Sequence, residues 1–330
     1  MIFRNAFQVM LDNFNKIYKY LLYRLVVILL TGSIFLAFFI PDMTALLDSF
    51  FASDVWVQIQ TLASEVVKAL VNSELIPFTQ INTHMQAIGA AFSEFIGKHA
   101  GSITLTVLAA LLLFIVHQFL AGVGDFVLGD MVNTHMSCYA EINFFSSLVK
   151  NIGKACRFLV VYVPLSFAFD LLTVAVCYFF FFFVMSFLPG FVAVFLSVTT
   201  ILCAQTLKLT FTSNLMPCMI EGGMKIRDSV KSCFKFSRQK FVKMFSGYLV
   251  YVYVVVFVNG LMAVVTLGSG ILLTLPASML WLVCMRFVNY YTATGRKYFI
   301  AYDTIVLNAD RGETEKFFAN NEMYEKTKMR

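Results

Sequence analysis

Apolar residues run in six stretches along this chain, at about 22–40, 103–123, 158–187, 190–207, 245–266 and 269–287. Each is close to the roughly 20 residues that a helix needs to cross a bilayer. Pro189-Gly190 separates the third from the fourth, and Gly268-Ser269-Gly270 separates the fifth from the sixth. Both pairs are therefore predicted to be hairpins with almost no connecting loop. Ahead of the first, third and fifth stretches the pattern changes to a helical stripe. In the first segment it is Phe7, Met10, Leu11, Phe14 and Tyr18, and in the second Phe145, Leu148, Val149, Ile152 and Cys156. In the third it is Val230, Cys233, Phe234 and Phe241, one residue out of step with the basic motif described next. Such spacing places each set on one helical face.

A basic motif recurs in the same three segments: Asn13-Phe-Asn-Lys16-Ile-Tyr-Lys19, Asn151-Ile-Gly-Lys154-Ala-Cys-Arg157 and Ser237-Arg-Gln-Lys240-Phe-Val-Lys243. An amphipathic helix bearing Lys and Arg lies in the membrane interface, its apolar face in the acyl boundary. Its cations reach anionic headgroups, each contributing about 1 kcal/mol near the surface. The pattern predicts an all-α polytopic membrane protein, with six transmembrane helices in three hairpin repeats, each preceded by an amphipathic interfacial helix. Lys16, Lys19, Lys154, Arg157, Lys240 and Lys243 are the candidate headgroup ligands. The alternative is that these are ordinary basic flanks of ordinary spans.

Each second span leads into a segment of mixed polarity, at Asp125–Asn143, Leu209–Arg227 and Val288–Val306. The middle one holds Leu215-Met-Pro217 and Glu221-Gly222-Gly223, then Asp228-Ser-Val-Lys-Ser-Cys-Phe-Lys235, with Asp228 or Ser229 as the expected N-cap. This order resembles the six-span membrane domain carried by some bacterial glycerophosphodiester phosphodiesterases, and stand-alone relatives of that domain. The resemblance is strongest over 209–287, weaker over 124–207 and weakest in the first unit. It implies the topology and no hydrolase activity, because catalysis in that family belongs to a soluble domain not expected in these 330 residues.

Composition agrees with lipid as the solvent: 59% of residues are hydrophobic and 13% charged, against about 25% charged in soluble proteins. The seven cysteines all lie outside 41–102, so no disulfide framework is expected. Segment 208–243 carries eight basic residues and the stretch from Arg286 onward eight more, whereas 41–102 holds Lys68 and Lys98 against six acids. Basic residues stay on the cytoplasmic side. Both termini are thus expected in the cytoplasm of a cell-membrane protein, with 41–102 outside. A cleaved signal peptide with Leu25–Ile40 as its apolar core is disfavoured by the long charged lead and by the lack of a small-x-small site after Ile40. Within 41–102, Leu47, Phe51, Ile59, Leu62, Val66 and Leu70, then Ile81, Met85, Ile88, Phe92 and Phe95, suggest two amphipathic helices parted by Pro77, an external hairpin insert in a six-span domain over 1–306. Residues 307–330 are expected to be a polar cytoplasmic tail, a solvated helix or a disordered end.

Ionisable groups inside a bilayer are costly and start as functional candidates. Asp170 is expected near mid-membrane, Asn259 at similar depth, and His117 and Gln118 about two turns from the inner end of the second span. Together they outline a polar site for a transporter or lipid-translocating protein, or else they simply join helices. Gly122-Val-Gly124-Asp125 resembles the Gly-x-Gly-Asp motif of intramembrane aspartyl proteases, but that chemistry needs a second aspartate on an earlier span. No nucleophile elbow, phosphate loop or His-Glu-x-x-His occurs, and His84, His99, His117 and His135 lack ligand spacing. No catalytic residue, metal or cofactor is therefore expected. The first reading is a membrane scaffold or accessory protein that engages anionic lipid or a membrane protein partner. Nucleic acid is not expected, because the basic 208–243 segment sits beside the membrane.

Overall fold

The computed structural model describes residues 2–72, 78–183, 190–301, 304–308 and 313–316. The chain is helical through α1 (Ile2–Asp12), a 3₁₀ turn at Phe14–Lys16, α2 (Ile17–Phe51), α3 (Asp54–Asn72), α4 (Phe78–Cys138), α5 (Phe144–Phe183), α6 (Gly190–Thr212), α7 (Leu215–Ile220), α8 (Ile226–Gln239), α9 (Phe241–Val265) and α10 (Ile271–Thr294). Among the described residues six helices are long and apolar enough to cross a membrane, and they contain the six expected stretches. Helix α10 stops at Gly295, which adopts the left-handed conformation (φ 68°) that a side chain disfavours.

A short antiparallel sheet follows, β1 (Tyr298–Ala301), β2 (Thr304–Asn308) and β3 (Glu313–Lys316), paired in that order. The sequence reading foresaw no strand here. Tyr298 and Ile300 are buried on one face of β1, the alternation of a strand with one covered side. The tail beyond Lys316 lies outside the described residues.

The expected external hairpin takes a different form. Residues 41–51 complete α2, which continues through Pro41. Residues 54–72 are α3, and 78–102 are the first turns of α4, which runs unbroken for 61 residues. Pro41 forfeits one backbone hydrogen bond, and the helix tolerates the loss as membrane helices do. Gly97 and Gly101 do not interrupt α4. Pro77 and Pro189 lie outside the described residues. The third amphipathic helix begins at Ile226 with Lys225 as its N-cap, ahead of the expected Asp228 or Ser229.

Two compact units result. One comprises Met1–Leu25 and Gln118–Arg330, and the other Val26–His117. In the first, α1 packs on α10, with the Phe3 and Phe7 rings edge-on to Trp281 at 4.7 and 5.3 Å. The first turns of α5 pack on the end of α4, where Ser147 Oγ and Asn151 Nδ2 donate to Asp130 Oδ2 at 2.7 and 2.8 Å. Helix α8 packs on the end of α6, where Ser237 Oγ donates to the Thr210 carbonyl at 2.8 Å. In the second unit, α2 and α4 meet through Phe50 and Phe95 (5.6 Å), and α3 is tied to α4 by Glu65 and His84 (2.9 Å).

Candidate functional site

The first two amphipathic segments present a largely apolar face outward. Most of their stripe is exposed, at Phe7, Leu11, Phe14, Tyr18, Phe145, Val149 and Ile152, with Met10 buried, whereas in the third Phe234 is exposed and Cys233 is buried. The small polar residues of all three face inward, with Asn5, Asn13, Ser147, Asn151, Ser229 and Ser237 all buried. The first residue of each basic motif, Asn13, Asn151 or Ser237, thus points into the protein. Small polar side chains allow close helix approach and bond to neighbouring backbone or side chains, the usual adhesive where hydrocarbon removes any hydrophobic gain.

The expected headgroup ligands divide. Lys154, Arg157 and Lys243 are exposed, and Lys19 and Lys240 are half-buried. Lys16 departs from the expectation. It is buried and its ammonium donates to Asn13 Oδ1, because the chain breaks from α1 into the 3₁₀ turn at this point and rotates Lys16 inward. Helix α8 adds an exposed basic face of Arg227, Lys231, Lys235 and Arg238.

A polar centre lies one to two turns further along the spans. Residues at the same offset from the three motif lysines, Arg24, Tyr162 and Tyr248, all take part in it. The Arg24 guanidinium pairs with Asp125 at 3.0 Å, and Tyr20 donates to the same carboxylate oxygen at 2.6 Å. Arg286 is 4% exposed and donates to Tyr162 Oη at 3.2 Å. Its Nε has no hydrogen-bond partner among the described residues, and Asp125 is the carboxylate within electrostatic reach. Asn289 donates to Tyr248 Oη at 2.9 Å. A guanidinium stays charged in a protein, so one carboxylate faces two cations. The arrangement cross-links helices and carries net positive charge.

That geometry also reassigns Gly122-Val-Gly124-Asp125. A Cβ at Gly122 would come within 2.3 Å of Leu159, and one at Gly124 within 2.5 Å of Tyr23. The glycines let α5 and α2 approach α4. Asp125 is matched to Arg24, whereas an aspartyl dyad needs two carboxylates sharing a proton.

The polar residues expected within the membrane have separate partners. Asp170 on α5 pairs with Lys208 on α6, at 2.8 and 2.7 Å, with Gln205 at 3.4 Å. Asn259 on α9 accepts from Thr274 at 2.8 Å and donates to Ser278 at 3.1 Å, both on α10. In the other unit His117 Nδ1 lies 3.0 Å from Thr31 Oγ1; Gln118, in the first unit, is exposed. Lys208 is not among the expected site residues, because its place at the start of segment 208–243 reads as a basic flank. Its signal was present: Asp170 and Lys208 are equally far in sequence from Pro189, so a hairpin turning there sets them at one depth. Among the described residues no three His, Cys, Asp or Glu side chains converge as a metal set.

Thiol chemistry separates interior from surface. Cys233 is buried on α8 and donates to the Phe211 carbonyl at 3.0 Å. Burial pushes its thiol up to about 12, which leaves roughly one thiolate in ten thousand at about pH 8. Cys138 at the end of α4 is exposed. Labelling the native protein with N-ethylmaleimide should modify Cys138 first and reach Cys233 only after denaturation, as read by peptide mass spectrometry. Equal rates at the two sites would contradict the burial of the inward face of α8.

Comparison with protein-family models, with curated proteins and with solved structures finds no match to this chain.

Proposed function

We propose that this chain is an integral membrane protein that holds anionic lipid against its surface through the three basic amphipathic segments, and that it carries out no catalysis of its own. The observation that carries this reading is the outward apolar face of the first two segments. Exposed Phe, Leu and Ile share a surface with Lys154, Arg157 and neighbouring cations, while the small polar side chains are turned inward. That combination suits the boundary between headgroups and acyl chains and no other solvent. The threefold recurrence is supported by three dockings of one kind: α1 on α10, α5 on α4 and α8 on α6. The distribution of Lys and Arg supports a cytoplasmic position for both termini, the side on which anionic surface potential is found.

The test is native mass spectrometry of the protein released from nanodiscs of mixed phosphatidylglycerol and phosphatidylethanolamine. Wild type is expected to retain phosphatidylglycerol selectively. Changing Lys154, Arg157 and Lys243 together to Gln should lower that retention by at least about tenfold, since each cation contributes about 1 kcal/mol. Retention unchanged in the triple variant would reduce the motifs to topology anchors. A lipid-translocating role is the second reading, favoured by the Asp170–Lys208 ion pair between two spans.

A further inference from the structure

The Val26–His117 unit contains a cleft lined by residues of its own. Between α2 and α4 lies an apolar groove of about 910 Å³, walled by residues such as Ile34, Phe38, Leu108 and Leu112 and floored by Gly101. A second cavity of about 360 Å³ adjoins it, and Gly101 and Leu105 line both. This second cavity is more polar than the groove, with Asp42, Ser49, His99, Ser102 and Thr106 on its walls and no Lys or Arg among its lining residues. The groove side of α4 from Gly101 to Leu113 covers about 18 Å of helix. One leaflet of a bilayer is roughly 15 Å deep in hydrocarbon. The cleft therefore has the length of one acyl chain, and a headgroup-sized polar chamber at one end.

We propose that this cleft binds a phospholipid with a primary-amine headgroup, one acyl chain lying in the groove and the headgroup in the polar chamber. The charge of the chamber selects the headgroup. Asp42 is its one carboxylate, and an ammonium can donate to it. A phosphate without an amine would meet that carboxylate as a like charge. The hydroxyls of Ser102 and Thr106 and the imidazole of His99 supply donors for the phosphate and ester oxygens, while the Ser49 hydroxyl donates to the Ala45 carbonyl and leaves its oxygen as an acceptor. A trimethylated choline has no N–H to give Asp42, so it binds more weakly than ethanolamine. The selectivity is opposite in sign to that of the basic segments, and the two sites are independent.

Two substitutions test it in the full chain. Asp42→Asn removes the charge and keeps the volume. Gly101→Leu fills the groove, and it does so without a clash at its base, because a Cβ there meets nothing within 4 Å. The protein is released from nanodiscs of phosphatidylethanolamine, phosphatidylcholine and phosphatidylglycerol, and its bound lipid is weighed by native mass spectrometry. Wild type is expected to keep one phosphatidylethanolamine in preference to phosphatidylcholine. Asp42→Asn should lower that retention by about tenfold and abolish the preference over choline. Gly101→Leu should lose the lipid altogether with an unchanged melting temperature. Phosphatidylglycerol retention should not respond to either change, whereas it should respond to the Lys154, Arg157 and Lys243 variant. Ethanolamine retained no better than choline, or retained equally in both variants, would overturn the assignment.

Discussion

Replacing Asp125 with alanine is expected to lower the stability of the protein by about 3 kcal/mol, at the low end for breaking a buried ion pair, since both partners keep some exposure. The loss has two parts. Arg24 and Arg286 keep their charges with no carboxylate between them, and Tyr20 loses the acceptor it holds at 2.6 Å. Thermal unfolding in detergent, followed by tryptophan emission, reads it directly. Arg24→Met combined with Asp125→Ala should recover at least half of the loss, because one uncompensated cation is then gone. Asp125→Asn should fall between, keeping an acceptor for Tyr20 without the charge. An Asp125→Ala protein as stable as wild type would mean that the polar centre contributes nothing to holding the spans. The series also separates the structural role from a proteolytic one: cleavage of a membrane substrate by wild type, lost in a fully stable Asp125→Asn protein, would restore the aspartyl reading.

Much of the fold was legible because lipid is an undemanding solvent to read. The six apolar runs fall in six described helices long and apolar enough to cross a membrane, and the glycines at 268 and 270 mark the turn seen between α9 and α10. Direction was not legible. The stripe of Phe7, Leu11 and Phe14 says that these residues share a face, but in a membrane the outside is as apolar as the core, so the stripe does not say which way it points. The buried partners resolved it, Asn13, Asn151 and Ser237, and their meaning is invisible until their neighbours are known. Lys16 illustrates the same limit: its spacing matched Lys154, and only the break after α1 turns it inward. Length failed differently. Periodicity suggested a separate helix over 81–95, and nothing between it and the second span stops a helix, so the two are one. The strand at Tyr298–Ala301 had an alternating signal too short to outweigh the helices before it.

The Asp170–Lys208 pair decides between the two functional readings, and it does so through stability first. Lys208→Met leaves a carboxylate between two spans without its cation, which is expected to cost about 3 kcal/mol, the scale for one charge at the centre of a membrane helix. Asp170 keeps 39% of its side chain exposed, so that value is an upper bound. Exchanging the two residues, Asp170→Lys with Lys208→Asp, should restore most of the loss, because the pair reforms at the same depth between α5 and α6. Replacing both with leucine should be neutral or stabilising, since two desolvated charges leave together. Thermal unfolding of the four proteins measures this, and a Lys208→Met protein as stable as wild type would show that the pair is not formed. The leucine pair then separates the functions. A protein that only holds lipid keeps its phosphatidylglycerol with leucine at both positions. A protein that moves lipid headgroups across the bilayer needs a polar contact part-way, and would lose transfer of a fluorescent phospholipid in proteoliposomes while remaining folded. With Asn259 engaged by Thr274 and Ser278 on the next hairpin, no other ionised pair among the described residues joins two of the spans so far from their ends on the α5–α6 side.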